Sequence, residues 1–230
     1  MSRSSCPPSL GRGLALVALV ALAPPVAATA SVTGTIPGSG VNANLTSTFQ
    51  RDSNWNIVAL PSGTSGLPAV PYAAYVPRTV NSTAWLGANT GPSGSQGGYT
   101  IGGNTYHWIS PNSTVSAILP GVSIGDPSTW YNWTAATTFT VPQTDTYYLS
   151  FPSAVDNRLG FFINGTIDST TNPRRPVIVG GTQIGTTSEA PGQFRQLNDN
   201  IGSVYLTAGT HTAYMVLTDL GADTGVLGSV

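Results

Sequence analysis

The chain contains no lysine, and charged residues make up only 7% of it, against roughly a quarter in an average soluble protein. No basic stripe can form, which excludes a nucleic-acid partner that reads the phosphate backbone. Nor is there a polybasic cluster for anionic lipid. Cysteine is nearly absent as well: Cys6 is the only one. It precedes the apolar run Leu14 to Ala23, whereas a lipidated cysteine would directly follow such a run. Helical periodicity is almost absent. With 27 glycines and 18 prolines spread along the chain, no long helix is sustained.

The N-terminus is different in kind. Arg3 and Arg12 give a positive start, Leu14 to Ala23 is apolar but too short to span a bilayer, and Ala28-Thr29-Ala30 offers a cleavage site. Residues 1–30 are therefore expected to be a secretory signal peptide, and the mature chain to begin at Ser31, secreted or extracellular. That mature chain has no thiol, so its stability must come from an ordinary core. It keeps six arginines against nine acids, a net charge of about −3. Its solubility rests on Ser, Thr, Asn, Gln and Gly. No second apolar segment follows, so no membrane span is expected. The roughly 200 residues from Ser31 to Val230 suffice for one sandwich domain.

What is present is a succession of short apolar runs separated by turn clusters, the pattern of an antiparallel β-sandwich. Trp133, Ala135, Thr137, Phe139 and Val141 alternate on one face of a strand, with Asn132, Thr134, Thr138 and Thr140 on the wetter face. Tyr147, Leu149 and Phe151 repeat the pattern after a connection at Pro142 to Asp145. Ala213 to Leu217 is apolar on both faces, as a central strand requires. Asn164-Gly165, after Leu159 to Ile163, predicts a hairpin turn. Trp55–Leu60, Ala73–Val76 and Tyr106–Ile109 are further expected strands. Gly87 to Gly103 and Ser169 to Gly192 read as long loops, the latter with a solvated Pro173-Arg174-Arg175-Pro176.

Trp130-Tyr131, Phe139-Thr140-Val141, Tyr148-Leu149, Asp156-Asn157, Phe162-Ile163-Asn164-Gly165 and Leu206-Thr207-Ala208-Gly209 occur in that order over about ninety residues. In this the chain resembles the galactose-binding-domain-like superfamily, whose members are jelly rolls. The earlier segments Asp52-Ser53-Asn54-Trp55, Ala74-Tyr75-Val76, Trp85 and Trp108-Ile109-Ser110-Pro111 are similar to a group of secreted bacterial proteins that carry a Pro-Glu-Pro sorting tail. This sequence reaches Val230 without that tail, as a released member or a shortened chain would. The resemblance implies an all-β jelly roll that binds carbohydrate or a cell-surface polymer. It also allows a structural calcium ion, for which Asp156 and Asn157 are the ligands expected here, with Asp145 and Asp199 in other loops; no cofactor is required.

Candidate ligand-binding residues are Trp130, Tyr131, Asp156, Asn157 and Arg158. Sugars stack on aromatic rings, and one or two of the five tryptophans are expected to be exposed, Trp130 with its neighbour Tyr131 foremost. Asp, Asn and Arg supply acceptors and a fixed donor fork for hydroxyls. The competing reading makes Asp156 and Asn157 a turn that bonds its own backbone. Gly121-Val122-Ser123-Ile124-Gly125 matches an esterase nucleophile pattern, but Asp126-Pro127 leaves no room for the helix that such an elbow needs. Only His107 and His211 could serve as its base, and Glu189 has no partner carboxylate for glycosidase work. The chain is therefore read as non-catalytic. Five N-x-S/T sequons occur, including Asn132 and Asn164. The alternative to a binding module is a structural subunit of a matrix, sheath or filament. It would self-associate through edge strands such as Ser31–Ile36, because low charge weakens edge protection.

Overall fold

A computed structural model describes residues 36–41, 43, 45, 49–78, 80, 98–101, 103–123, 125–186, 195, 197–221 and 224–228. The expected signal peptide, Trp85, Glu189 and residues 31–35 of the expected edge strand lie outside these. The elements are β1 (Phe49–Ala59), β2 (Tyr72–Pro77), β3 (Tyr99–Ile101), β4 (Asn104–Tyr106), β5 (Tyr131–Val141), β6 (Asp145–Asp156) and β7 (Arg158–Ile163). They continue as β8 (Thr166–Asp168), β9 (Val177–Val179), β10 (Thr182–Thr186), β11 (Asn198–Leu206), β12 (Gly209–Asp219) and β13 (Gly225–Gly228). The fold is an all-β antiparallel sandwich. A six-stranded sheet in the order β10-β7-β12-β5-β1-β2 faces a three-stranded sheet in the order β11-β6-β13. No helix among the described residues is long and apolar enough to cross a membrane.

The core between the sheets follows from period-two alternation. Trp133, Ala135, Phe139 and Val141 of β5 meet Phe161 of β7 and Met215 of β12, and across the interior Phe151 of β6 and Val204 and Leu206 of β11. Phe151 stacks on Phe161 with centroids 4.3 Å apart, a direct contact between the two sheets. The Pro142–Thr144 turn thus arches from one sheet to the other rather than closing a hairpin. Both flanks of β5 are already taken, by β12 and β1. As expected of a central strand, β12 lies between β5 and β7. Asp145 and Asp199, expected in loops, fall within β6 and β11.

The Asn164-Gly165 expectation is half right. Both residues take positive φ, 58° and 95°, as a type I′ pair demands. No hairpin closes there, because β7 pairs with β10 whereas β8 pairs with β9. The pair instead bends one arm of a longer hairpin, and Gly180-Gly181 bends the other. Backbones touch at this double bend: a Cβ on Gly165 would sit 2.7 Å from the Gly181 nitrogen. The tip lies between β8 and β9, inside the segment expected to be irregular.

Beyond the bend, the β8–β9 arm folds over the outer face of the large sheet. Near its base, Tyr214 Oη donates to the Gly165 carbonyl at 3.4 Å. At its tip, the Asn132 amide donates to the Arg174 carbonyl and the Ser62 amide to the Pro173 carbonyl. The tip fills the place beside β5 that β1 vacates after Ala59. This explains why Asn132 and Thr134, expected on the wet face, are buried, whereas Thr138 and Thr140 further along are exposed.

On the side of Trp108-Ile109-Ser110-Pro111, the two sheets are linked through one residue of each edge strand. The amides and carbonyls of Ser110 and Tyr75 exchange bonds of 2.9 and 3.0 Å, and those of Ile109 and Val226 bonds of 2.8 and 3.0 Å. This two-residue bridge joins β2 to β13. On the opposite side β10 lies against β11, where a Cβ on Gly202 would come 2.7 Å from the Ile184 carbonyl.

Candidate functional site

Two surfaces merit attention, and the first contains two of the expected residues. Register aligns Asn132 of β5, Thr218 of β12 and Arg158 of β7 in one row across the large sheet. Thr218 Oγ1 donates to Asn132 Oδ1 at 2.8 Å, and Asn132 Nδ2 donates to the Pro176 carbonyl at 3.1 Å. This row floors a groove of about 310 Å³, walled by Trp130 on one side and by Thr171, Asn172, Arg175 and Val177 of the arm on the other.

Arg174 and Arg175 are half-buried rather than freely solvated. Arg174 Nη2 and Nε donate to the Thr129 carbonyl at 2.6 and 3.0 Å. Arg175 donates to the carbonyls of Trp130 and Pro127. A sequence cannot reveal this, because the acceptors lie some 45 residues upstream and are backbone atoms. The guanidinium carbons of Arg158 and Arg175 stand 4.8 and 5.5 Å from the Trp130 ring centroid. Burial, and then the Arg175 charge, shift the Arg158 pKa downward.

Trp130 is only 8% exposed, and its Nε1–H donates to the Ser123 carbonyl at 2.9 Å. It therefore offers no open stacking face. None of the four described tryptophans is exposed; core filling outcompetes display for so large an apolar ring. Tyr131 points the other way, into the core, where its hydroxyl donates to Asp219 Oδ2 and accepts from the Ile118 amide. Burial, with the Asp219 charge second, pushes its phenol pKa up.

Asp156 is buried at the end of β6. Asn157 Nδ2 donates to Asp156 Oδ1, and the Leu220 amide donates to Asn157 Oδ1 at 2.7 Å. Two of the oxygens a calcium ion would use are thus occupied by N–H donors. Among the described residues no group of three or more His, Cys, Asp or Glu side chains converges. The side chains of Asn132 and Asn164 are likewise engaged within the fold.

Ser123 lies in a turn, its amide donating to Thr129 Oγ1. His107 Nδ1 bonds the Gly40 carbonyl, and the His211 nitrogens pair with Asn164 and the Thr207 carbonyl. Among the described residues neither histidine hydrogen-bonds Ser123.

The second surface is the outer face of the three-stranded sheet. Tyr148 opposes Ser203 in register, with Ile201 and Tyr205 at the two diagonal positions. Their exposures are 72% for Tyr148 and 68% each for Ile201 and Tyr205. Thr146 and Ser150 complete the face. Diagonal neighbours on a sheet are about 7–8 Å apart, so the two tyrosines and Ile201 form one exposed strip. The signal was available in the sequence: if Tyr147, Leu149 and Phe151 face inward, Tyr148 must face out, and Val204 and Leu206 place Tyr205 likewise. No protein-family model matches the chain, and no curated protein is significantly similar to it.

Proposed function

We propose that this protein is a secreted, non-catalytic β-sandwich module that binds carbohydrate or the cell surface. The observation that carries the reading is the outward strip of Tyr148, Ile201 and Tyr205. Two tyrosines and an isoleucine side by side on one strand pair form a contiguous exposed apolar patch, of the kind that marks an interaction site. Rings with apolar faces and polar tips suit the C–H faces and hydroxyls of a sugar. The flanking Thr146, Ser150 and Ser203 supply further hydroxyls, and none of these residues is charged. The complementary partner is an uncharged glycan rather than an acidic or basic polymer. A jelly roll of the galactose-binding-domain-like kind is the topology this function would use.

The reading is tested by retention of the mature chain on neutral polysaccharides, with and without a calcium chelator. Substituting Tyr148→Ala together with Tyr205→Ala is expected to lower affinity about tenfold or more, equivalent to about 1.4 kcal/mol. Unchanged retention in that variant, or no retention of the wild type on any glycan, would sink it. Self-assembly through sheet edges has less support. The Ile109–Ser110 bridge meets part of the edges on one side of the sandwich, and β10 lies against β11 on the other. Light scattering that showed large ordered assemblies would reverse that preference.

A further inference from the structure

We infer that Asn164 is a covalent modification site, an asparagine–glycine pair that the fold holds back from cyclising while the β8–β9 arm keeps its seat. Asn164-Gly165 is the only such pair in the sequence. Glycine puts no side chain in the way of the chemistry. The Gly165 backbone nitrogen attacks Cγ of Asn164 and a C–N bond forms. The Cγ–Nδ2 bond breaks, and the Nδ2 group leaves with the Gly165 proton as ammonia. Water then opens the five-membered imide at either carbonyl, leaving aspartate or isoaspartate at position 164. Nothing is oxidised or reduced.

In the folded chain the side-chain amide has other partners. Asn164 is tied to β12 three times. Its backbone amide donates to the Thr212 carbonyl at 2.7 Å, its Oδ1 accepts from the Thr212 amide at 3.2 Å, and its Nδ2 lies 3.0 Å from His211 Nδ1. The side-chain carbonyl thus takes the place of a main-chain one, at the ladder position that follows the Ile163–Ala213 pair. The bonds also assign the hydrogens. The Thr212 amide can only donate, so Oδ1 faces it and the NH2 group of Asn164 faces His211. His211 Nε2 lies 2.7 Å from the Thr207 carbonyl, which can only accept. The imidazole is therefore the neutral tautomer with its proton on Nε2, and Nδ1 accepts from Asn164. These two side-chain bonds fix the amide plane, so rotation into the geometry of attack costs both.

The bend itself resists the same motion. A Cβ on Gly165 would sit 2.7 Å from the Gly181 nitrogen, and the Gly165 carbonyl accepts from Tyr214 Oη at 3.4 Å. Isoaspartate lengthens the main chain by one atom where the two halves of the hairpin touch. Conversion therefore unseats the arm, and it runs one way because the ammonia is lost. None of this depends on the glycan reading.

The test is incubation of the mature protein in mildly alkaline buffer, folded and in urea, with conversion at Asn164 followed by peptide mass spectrometry. The folded wild type is expected to convert about tenfold or more slowly than the unfolded chain. His211→Ala should speed conversion of the folded protein roughly three- to tenfold, the effect of one lost hydrogen bond. In urea the two proteins should convert at the same rate. Equal rates for folded and unfolded wild type, or a folded His211→Ala no faster than wild type, would overturn the hold. Should His211→Ala fail to fold, the imidazole nitrogen shifts of the wild type still decide, since a proton on Nδ1 would overturn the assigned bond. Arg175 of the arm bonds the Trp130 carbonyl and faces its ring. The converted fraction should accordingly show a displaced Trp130 indole resonance, and an unmoved one would overturn the link to the arm.

Discussion

Replacing Tyr131 by Phe separates two readings of the same residue. If Tyr131 touches ligand, losing its hydroxyl should weaken binding and leave stability alone. The structure places that hydroxyl in the core, donating to Asp219 Oδ2 and accepting from the Ile118 amide at 2.9 Å. Both Tyr131 and Asp219 are fully buried. Tyr131→Phe keeps the ring and its packing, so no cavity term arises. It removes one donor from a buried carboxylate, worth about 1.5–3 kcal/mol, and one acceptor from a part-buried amide, worth about 1 kcal/mol. The expected loss is about 2–4 kcal/mol, or a fall in Tm of about 5–15 °C for a chain of this size. Differential scanning calorimetry at neutral pH measures it, with Tyr148→Phe as a surface control expected to change stability by less than about 0.5 kcal/mol. A Tyr131→Phe protein that melts with the wild type but loses glycan retention would refute the reasoning.

Other outcomes follow from the same geometry. Burial lowers the His107 pKa below 6.5, partly opposed by its bond to the Gly40 carbonyl. The unfolded chain then binds a proton that the folded one refuses. The associated stability is complete above pH 6.5 and declines as pH falls through the folded-state value; an NMR titration of His107 together with unfolding at pH 5 and 7 checks both. Gly181→Ala would press a methyl group against the Asn164 carbonyl. It should cost about 1–3 kcal/mol and disturb the Trp130 indole resonance by shifting the arm, whereas an unmoved resonance would dissociate arm from groove. Phe161→Ala removes the ring stacked on Phe151 and should cost about 3–5 kcal/mol, measured by urea unfolding; a loss below about 1 kcal/mol would deny that the sheets are joined there.

Much of the fold was legible because it is local. Alternation in β5 and β6 states which side chains face inward, since successive residues on a strand point to opposite faces whatever its partners are. The same rule discloses the exposed Tyr148 and Tyr205, whose strand neighbours Tyr147, Val204 and Leu206 face inward. Trp130 and Arg158 lie together, but as a ring facing a guanidinium rather than as a surface open to sugar. Asp156 and Asn157 were recognisable as a junction between strands, but not the Leu220 amide, 63 residues on, that Asn157 Oδ1 accepts from.

By itself the sequence determined an all-β chain with no long helix, a period-two core, few charges and no lysine. These properties depend on composition and on near neighbours. Only the tertiary structure decided that β5 and β6 join opposite sheets, that Ile109 and Ser110 bridge the edges, and that Asn164-Gly165 turns an arm outward. It alone brought Arg175 beside Trp130 and Arg158. Such pairings depend on which backbone groups remain unsatisfied after every other strand is placed, and no local pattern records that.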